Sequence, residues 1–220
     1  MFTGLVQEVG RIQEISTSPE GRIFNISCSF EHIQLGESIA VSGACLTVSH
    51  ITGGGFRCDA SAETLDRTTL RYATAGSEVH LERALQIGAR VGGHLVSGHV
   101  DGVGSIYAVQ PLGDALQVTV EVPSELAPFL ASKGSIAIDG ISLTINRVRD
   151  RTFDVVLVPY SRAETRLDRK KPGSEVNIEV DILAKYVARL LGKPGVDGMG
   201  SGGTEAQGVT LDLLGRQGYL

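Results

Sequence analysis

The chain has little of what supports several large classes of protein. Its 220 residues include three cysteines and no CxxC pair, so free thiols are a better interpretation than a disulfide framework. HExxH is absent and no thiolate pair stands near His94 or His99, which argues against a zinc site. No GxGxxG follows a predicted strand, which argues against a dinucleotide-binding domain.

Charge and hydropathy argue against two further kinds of partner. The chain has 20 basic and 25 acidic residues, a net charge of −5, and no basic run, so nucleic acid is not expected to bind. No apolar run approaches the length of a bilayer span, and the opening MFTGLVQEVG lacks the regions of a signal peptide. We therefore expect a soluble cytoplasmic protein with no membrane partner.

Two phrases of the sequence repeat each other at a fixed spacing. SIAVSGACLTV occupies residues 38–48 and SIAIDGISLTI occupies residues 135–145, so Cys45 is matched by Ser142, 97 positions later. GSEV recurs at the same spacing, and TGLVQEVG near the start matches SGHVDGVG at a spacing of 94. Because this period is too long for a solenoid repeat, we infer two copies of one domain.

Each copy is predicted to form a small antiparallel β structure. Apolar and polar residues alternate over about six short segments per copy, beginning with Leu5–Val9 and Val100–Ala108. Closure into a barrel is favoured over an open sandwich because it leaves no unpaired edge. Short helical segments are expected at residues 62–69 and 124–131.

The copies meet in a glycine-rich segment around residues 88–94. We assign residues 1–93 to an N-terminal domain and 94–181 to a C-terminal domain. Apolar residues recur on one face of 182–192, which predicts a helix that either contacts other subunits or packs on its own barrel. The glycine-rich tail, 193–220, is expected to be largely disordered.

Cys45 and Ser142 are the first candidates for chemistry. A free cysteine is more often a small buried hydrophobe than a reactive group. The exchange of cysteine for serine at matched positions favours a polar contact, since a core position more readily takes alanine or valine. Cys28 and Cys58 carry no such signal and are predicted to be core residues.

The histidines are the second group of candidates. His99 lies in GGHLVSGHVDG, whose four glycines let a backbone approach a flat ligand, and imidazole exchanges a proton near neutral pH. His94, at the join, is interpreted as making a structural hydrogen bond, and His32, His50 and His80 as surface or strand-edge residues. Glycine-rich strand edges and hydroxyl side chains suit a heterocycle that carries a polyol.

The phrases MFTGLV, GACLTV, ETL, GGHLVSGHV and GISLT resemble, in order and spacing, the trimeric two-domain riboflavin synthases (alpha chain). The match extends over roughly residues 1–190 and is far more specific than one short motif. The resemblance implies an all-β fold of two tandem, similar, six-stranded antiparallel Greek-key β-barrels, with a C-terminal helix and a glycine-rich tail.

The resemblance also implies an activity. Enzymes of this family dismutate two molecules of 6,7-dimethyl-8-ribityllumazine by four-carbon transfer, giving riboflavin and 5-amino-6-(D-ribitylamino)uracil, the last step of riboflavin biosynthesis. No metal or redox cofactor is expected. Each barrel binds one lumazine, and the reactive pair meets between the N-terminal barrel of one subunit and the C-terminal barrel of a neighbour in a homotrimer. An association with lumazine synthase, the preceding enzyme, is left open.

Two sets of binding residues follow from the resemblance. The first-barrel pocket is expected to contain Gly4, Leu5, Val6, Cys45, Leu46, Thr47, Asp59, Ala60, Ser61, Ala62, Glu63, Thr64, Gly98, His99 and Val100. The second-barrel pocket is expected to contain Lys133, Ser142, Leu143, Thr144, Val156, Leu157, Val158, Pro159, Tyr160 and Ser161.

Six side chains are implied to act in catalysis: His99, Cys45, Ser38, Phe2, Ser142 and Asp181. His99 would move the proton of the acidic 7-methyl group. Cys45 and Ser38 would place or activate the nucleophile that adds to the ring. Phe2 would cover the site, and Asp181 would lie at the interface end of the second barrel.

One position departs from the family pattern. Tyr160 matches Glu63 at the 97-residue spacing, where the family more often repeats a Glu-Thr pair. We expect any consequence to fall on ribityl or ring-edge contacts in the second pocket.

The sequence also admits two alternatives to the enzyme. A non-catalytic lumazine- or flavin-binding antenna protein is built from the same barrels but loses side chains from one pocket. Here Cys45, His99, Ser142 and Lys133 are all present, which favours the enzyme. A flavin-binding barrel of an oxidoreductase would need a dinucleotide-binding partner domain.

Overall fold

The computed structural model describes residues 1–192 and contains two closed β-barrels. The predictions for 193–220 lie outside the described residues. The strands of the first barrel are β1 (Glu8–Ser18), β2 (Gly21–Ser27), β3 (Ser38–Val41), β4 (Ala44–Thr52), β5 (Gly55–Ser61) and β6 (Glu78–Arg83). Helix α1 (Ala62–Arg67) and a 3-10 turn at Thr69–Tyr72 connect β5 to β6.

The second barrel repeats this plan. Its strands are β7 (Gly102–Leu112), β8 (Ala115–Glu121), β9 (Ser135–Ile138), β10 (Ile141–Arg149), β11 (Thr152–Leu157) and β12 (Glu175–Val180). Helix α2 (Pro159–Glu164) matches α1, 3-10 turns form at Ala127–Phe129 and Leu167–Arg169, and helix α3 (Ile182–Leu190) follows the barrel.

Both barrels have the same antiparallel order. The first closes as β1-β2-β5-β4-β3-β6, and the second follows the corresponding order through β7, β8, β11, β10, β9 and β12. Three hairpin-connected strands followed by a return beside the first is the Greek-key arrangement. The predicted fold class of two similar six-stranded antiparallel barrels is therefore confirmed.

Apolar residues on alternate strand positions fill each barrel. Phe24 and Phe56 are fully buried in the first core and Phe153 in the second. Burying such a side chain contributes roughly 1.5–3 kcal/mol. Cys58 belongs to the first core, and burial raises its pKa to about 12, which keeps the thiol protonated. Cys28 is half-buried against the same core.

Two glycines bring the barrels into direct backbone contact. Gly43 and Gly140 occupy matched turns with φ of +87° and +81°. A Cβ on either one would lie 2.8 Å from the backbone nitrogen of the other. Only glycine fits this approach, which relates the barrels by a pseudo-two-fold arrangement.

Buried hydrogen bonds extend this junction. His80 Nδ1 donates to the backbone oxygen of Asp139 at 2.9 Å, and its Nε2 accepts from the N–H of Arg166 at 3.0 Å. The matched Asn177 donates to the backbone oxygen of Ser42 at 2.8 Å. The prediction that His80 is a surface or strand-edge residue is wrong, because both of its ring nitrogens have partners inside the junction and the residue is only 5% exposed.

The first strand of each copy starts later than predicted. β1 begins at Glu8 and β7 at Gly102, because the preceding residues leave their own barrel. The helix predicted over 124–131 is limited to the 3-10 turn at Ala127–Phe129, whose central proline has no N–H to continue a helix.

Candidate ligand-binding pockets

A cavity of about 240 Å³ opens at the first barrel beside Cys45. Its walls come from the start of β4, from α1 and its C-cap, and from the segment that precedes β7. The lining residues are Ala44, Cys45, Glu63, Thr64, Arg67, Thr68, Gly98, His99 and Val100. The structure thus groups most of the polar residues predicted for the first pocket, and it adds Arg67 and Thr68, which the sequence analysis missed.

Local capping fixes helix α1 at the cavity. Ser61 is its N-cap, and Ser61 Oγ accepts a hydrogen bond from the N–H of Thr64 at 3.1 Å. At the other end, Thr68 Oγ1 donates to the backbone oxygen of Thr64 at 2.6 Å. The short helix therefore presents Glu63 and Thr64 to the cavity on a constrained backbone.

The segment around His99 crosses from the second half of the chain to the first barrel. The N–H of Cys45 donates to the oxygen of Gly98 at 2.8 Å. A Cβ on Gly98 would lie 2.6 Å from Cys45 Cβ, so glycine is required there. Val100 packs against the first core, and His99 is exposed on the cavity wall.

The N-terminal segment makes the corresponding crossing to the second barrel. The N–H of Ser142 donates to the oxygen of Gly4 at 2.7 Å, and a Cβ on Gly4 would lie 2.5 Å from Ser142 Cβ. Val6 packs against the second core. Gly4 and Val6, which the resemblance places in the first-barrel pocket, therefore contact the second barrel in this chain, while Leu5 is half-exposed. The positive φ of Gly4, +74°, turns the chain away before β1 begins.

Two buried carboxylates hold the crossing segments. Glu82 accepts hydrogen bonds from the N–H of Thr3 at 2.7 Å, from Thr3 Oγ1 at 2.6 Å and from the N–H of Gly4 at 3.0 Å. Glu179 accepts the matching three from residues 97–98 at 2.6, 2.7 and 3.0 Å. Burial raises the pKa of both carboxyl groups, while these hydrogen bonds oppose that rise. The recurrence of glutamate at matched positions 97 apart was the signal in the sequence.

The remaining first-barrel predictions lie outside the cavity lining. Leu46 and Ala60 are buried in the first core. Ser38 is the first residue of β3 and is paired with Thr47 of the neighbouring strand β4. The backbone oxygen of Ser38 accepts a hydrogen bond from the N–H of Ala84 at 3.2 Å. The other members are exposed: Thr47, Asp59, Ser61 and Ala62.

The residues predicted for the second pocket lie on β10, on β11 and helix α2, and just before β9. Ser142 is half-buried at the start of β10, while Leu143 and Leu157 point into the core. The others are half-buried or exposed: Lys133, Thr144, Val156, Val158, Pro159, Tyr160 and Ser161. Tyr160 is 76% exposed at the start of α2, the helix that matches α1.

Phe2 lies deeper than a side chain that merely covers a pocket. It is fully buried between the barrels with Ala40, Val96 and Ala137, and the half-buried Cys45 packs against this cluster. Phe2 therefore supports Cys45 from the interior of the molecule.

His94 lies beside Ser142. The distance from His94 Nδ1 to Ser142 Oγ is 2.7 Å, and the N–H of His94 donates to the oxygen of Thr3 at 3.2 Å. Burial lowers the pKa of His94, and the carboxylate of Asp181 acts in the opposite direction. Asp181 also caps α3 by accepting from the N–H of Leu183 at 3.0 Å. The hydrogen bond expected of His94 is present, and its partner is a predicted pocket residue.

A larger cavity, of about 450 Å³, lies between the N-terminal segment and residues 82–90. Of the residues predicted to bind substrate, only Leu5 and Val6 line it.

Within residues 1–192, no group of three or more His, Cys, Asp or Glu residues is placed to hold a metal ion. Over the same residues, no helix is long and apolar enough to span a bilayer.

Comparison with protein families identifies both halves of the chain. A family model described as the lumazine binding domain matches residues 3–84 and again residues 97–181. The two matches correspond to the two barrels.

Full-length relatives agree with this match. A riboflavin synthase of Photobacterium phosphoreum is 38% identical over 225 residues, covering 100% of both chains. One from Brucella abortus is 44% identical over 197 residues, covering 86% of this chain and 98% of that protein. One from Bacillus subtilis is 41% identical over 195 residues, covering 88% of this chain and 91% of that protein.

Solved structures with the same fold hold ligands. LumP complexed with 6,7-dimethyl-8-(1'-D-ribityl) lumazine is 28% identical, with a TM-score of 0.74 over 82% of this chain and 99% of that one. LumP complexed with riboflavin superposes with a TM-score of 0.76 at the same identity and coverage.

Proposed function

The chain belongs to the riboflavin synthase family, and we propose that it dismutates two molecules of 6,7-dimethyl-8-ribityllumazine to riboflavin and 5-amino-6-(D-ribitylamino)uracil. The observation that carries this proposal is the pair of matched sites. Cys45 and Ser142 occupy the same position in two copies of one barrel, each under a glycine of the crossing segment. Two related sites with different side chains suit two identical substrates that play different chemical parts.

The reaction requires the two rings to meet. Holding two reactants in one orientation can lower the activation free energy by about 7–11 kcal/mol at best. Paired pockets would contribute to catalysis mainly through this effect. In the first pocket, His99 is positioned on the cavity wall to exchange a proton with the ligand, and Cys45 lines the same cavity. No metal or redox cofactor is needed to balance the dismutation, because the four-carbon unit that one substrate loses is gained by the other, and the atoms and electrons of the two substrates equal those of the two products.

A homotrimer is the proposed assembly, with each reactive pair held between the first barrel of one subunit and the second barrel of a neighbour. Helix α3 supports this, because one of its faces is apolar and exposed at Leu183, Tyr186, Val187 and Leu190. Its opposite side, at Ala188, is buried on the protein. Sedimentation equilibrium should give the mass of three chains, and Leu190→Asp should lower it. A monomeric wild-type chain would contradict this assembly.

We place the enzyme in the cytoplasm, with lumazine synthase as a candidate neighbour.

An antenna-type binding protein is the second candidate, since LumP shares the fold and is named with lumazine and flavin ligands. The deciding assay uses the purified full chain with 6,7-dimethyl-8-ribityllumazine, a chelator and no added cofactor, and follows absorbance. Formation of one riboflavin per two lumazines consumed supports the dismutation. Binding of the lumazine without its consumption would favour the antenna protein.

A further inference from the structure

The second barrel contains a serine–histidine contact that the first barrel lacks. Ser142 Oγ and His94 Nδ1 are 2.7 Å apart, the distance of a strong hydrogen bond. Cys45 holds the matched position, and within residues 1–192 no corresponding histidine hydrogen bond is made to it. The two sites therefore differ in two ways: one has serine where the other has cysteine, and, among the described residues, only the serine is hydrogen-bonded to a histidine that could take up a proton.

Three elements fix this contact. Ser142 is held at the start of β10 by the N–H···O bond to Gly4. His94 is fixed through its backbone, which donates to Thr3, and Thr3 in turn is held by Glu82. A Cβ on Gly93 would lie 2.8 Å from Ser142 Oγ, so the backbone before His94 comes close to the hydroxyl. This rigidity is what a proton-transfer group needs.

We propose that Ser142 and His94 form the proton-transfer pair of the second pocket, with Ser142 touching the substrate and His94 acting through it. This inference rests on the proposed dismutation. It adds His94 as a positioning residue that accepts and returns a proton, and it gives the second barrel the ligand that loses its methyl proton.

The transfer balances without any other reagent. As the C–H bond of the acidic ring methyl breaks, Ser142 Oγ takes the proton and passes its own hydroxyl proton to His94 Nδ1. The electron pair of the C–H bond stays on the substrate and is delocalised into its ring. His94 becomes an imidazolium ion, and the proton returns by the same route when a later intermediate is protonated.

The surroundings of His94 suit both of its charge states. Burial lowers its pKa, which keeps the imidazole neutral and able to accept a proton near pH 7. Among the described residues, Asp181 at the start of α3 is the charged group whose field acts on His94, and it stabilises the imidazolium. The tautomer that this role requires has its proton on Nε2, so that Nδ1 accepts from Ser142.

The test measures proton exchange separately from riboflavin formation. The full-length protein is mixed with 6,7-dimethyl-8-ribityllumazine in deuterium oxide, and exchange of the ring methyl protons is followed by NMR above the uncatalysed rate. The variants are His94→Gln, which keeps a hydrogen-bonding amide but cannot take up a proton, and Ser142→Ala. His99→Gln is the matched variant in the first pocket. Thermal melting shows that each variant is folded, and Ser142→Cys provides a second, near-isosteric change.

For His94→Gln we expect kcat and catalysed exchange to fall about 100-fold, the lower end for general acid–base catalysis, with KM changed less than about threefold. The fall of kcat on the acid side of the pH profile should disappear in this variant and in Ser142→Ala. In the variant that combines His94→Gln with Ser142→Ala, kcat and catalysed exchange should fall little further than in either single variant, since the two residues act as a unit.

Exchange and kcat within about threefold of wild type in His94→Gln would overturn the proposal, as would persistence of the acid limb. Loss of exchange in His99→Gln alone would assign the proton transfer to the first pocket and also overturn it. Failure of the proposed function looks different, because wild-type protein would then exchange the methyl protons and form no riboflavin.

Discussion

At the scale of single residues, the polar groups buried between the barrels have defined partners. His80 uses both ring nitrogens, one as a donor to Asp139 and one as an acceptor from Arg166. Such a histidine must be neutral, and burial lowers its pKa accordingly. Lys170, 3.3 Å from the Asp139 carboxylate, and Arg166 add positive charge that disfavours protonation. The junction is therefore built for a neutral imidazole.

This arrangement makes stability depend on pH. Because the pKa of His80 in the folded protein lies below the value of about 6.5 in an unfolded chain, the unfolded state binds more protons as pH falls. The free energy of unfolding should decrease from about pH 7 toward about pH 5, by at most about 1.4 kcal/mol per pH unit from this group. Denaturant titrations at several pH values measure it.

His80→Asn should flatten that part of the profile, because the matched residue of the second barrel, Asn177, already serves the same junction. The control is His32→Asn at an exposed position with positive φ, where asparagine is tolerated. An unchanged pH slope in His80→Asn would contradict this account of the junction.

Each of the two buried glutamates is predicted to affect the pocket of the other barrel. Glu82 belongs to the first barrel but holds residues 3–4 on the second, so Glu82→Gln should weaken ligand binding at the second pocket. Glu179→Gln should weaken it at the first. Each change sets an amide against backbone donors and should destabilise the protein by about 1–3 kcal/mol.

Ligand titration and thermal melting measure both effects, with the exposed Glu14→Gln as the control. If each variant instead affected the pocket of its own barrel, the crossing segments would not govern the pockets.

At the scale of elements, alternation in the sequence was enough to predict the strands but not where their ends attach. Residues 5–9 alternate like a strand, yet Val6 packs on the opposite barrel. Periodicity reports which residues share a face and carries no information about the partner surface. His80 was missed for a related reason, since a polar residue in an alternating strand normally faces water. Its flanking residues, Val79 and Leu81, are both buried.

Direct contact between two turns holds the barrels together, and it predicts an effect of one methyl group. Gly43→Ala places a Cβ 2.8 Å from the backbone nitrogen of Gly140, in addition to the strain of positive φ. Gly36 has a similar φ of +79° and nothing within 4 Å of its added Cβ. Gly36→Ala should cost about 1–2 kcal/mol, and Gly43→Ala about 1–3 kcal/mol more. If denaturant titrations gave equal losses of the free energy of unfolding for the two variants, the contact between the turns would contribute nothing to stability.

At the scale of the whole molecule, duplication gives two similar barrels. The segment before each barrel packs on the other barrel, so each depends on the other half of the chain. The repeat, the barrels and the Cys45/Ser142 difference were predictable from sequence, because they follow directly from residue identity and spacing. The pairing of His94 with Ser142 was not, since it depends on how the join folds over the second barrel. Leu46, Ala60, Leu143 and Leu157 lie in the cores, a location that motif matching does not distinguish from a pocket wall.

The central claim is that each chain has two working pockets, and counting bound ligands tests it most directly. Isothermal titration would use a ribityllumazine with an oxo group in place of the acidic 7-methyl group, which has no methyl proton to lose at that position. The account predicts two ligands per chain, with Cys45→Phe removing one and Ser142→Phe removing the other. One ligand per wild-type chain, lost in only one of these variants, would contradict it.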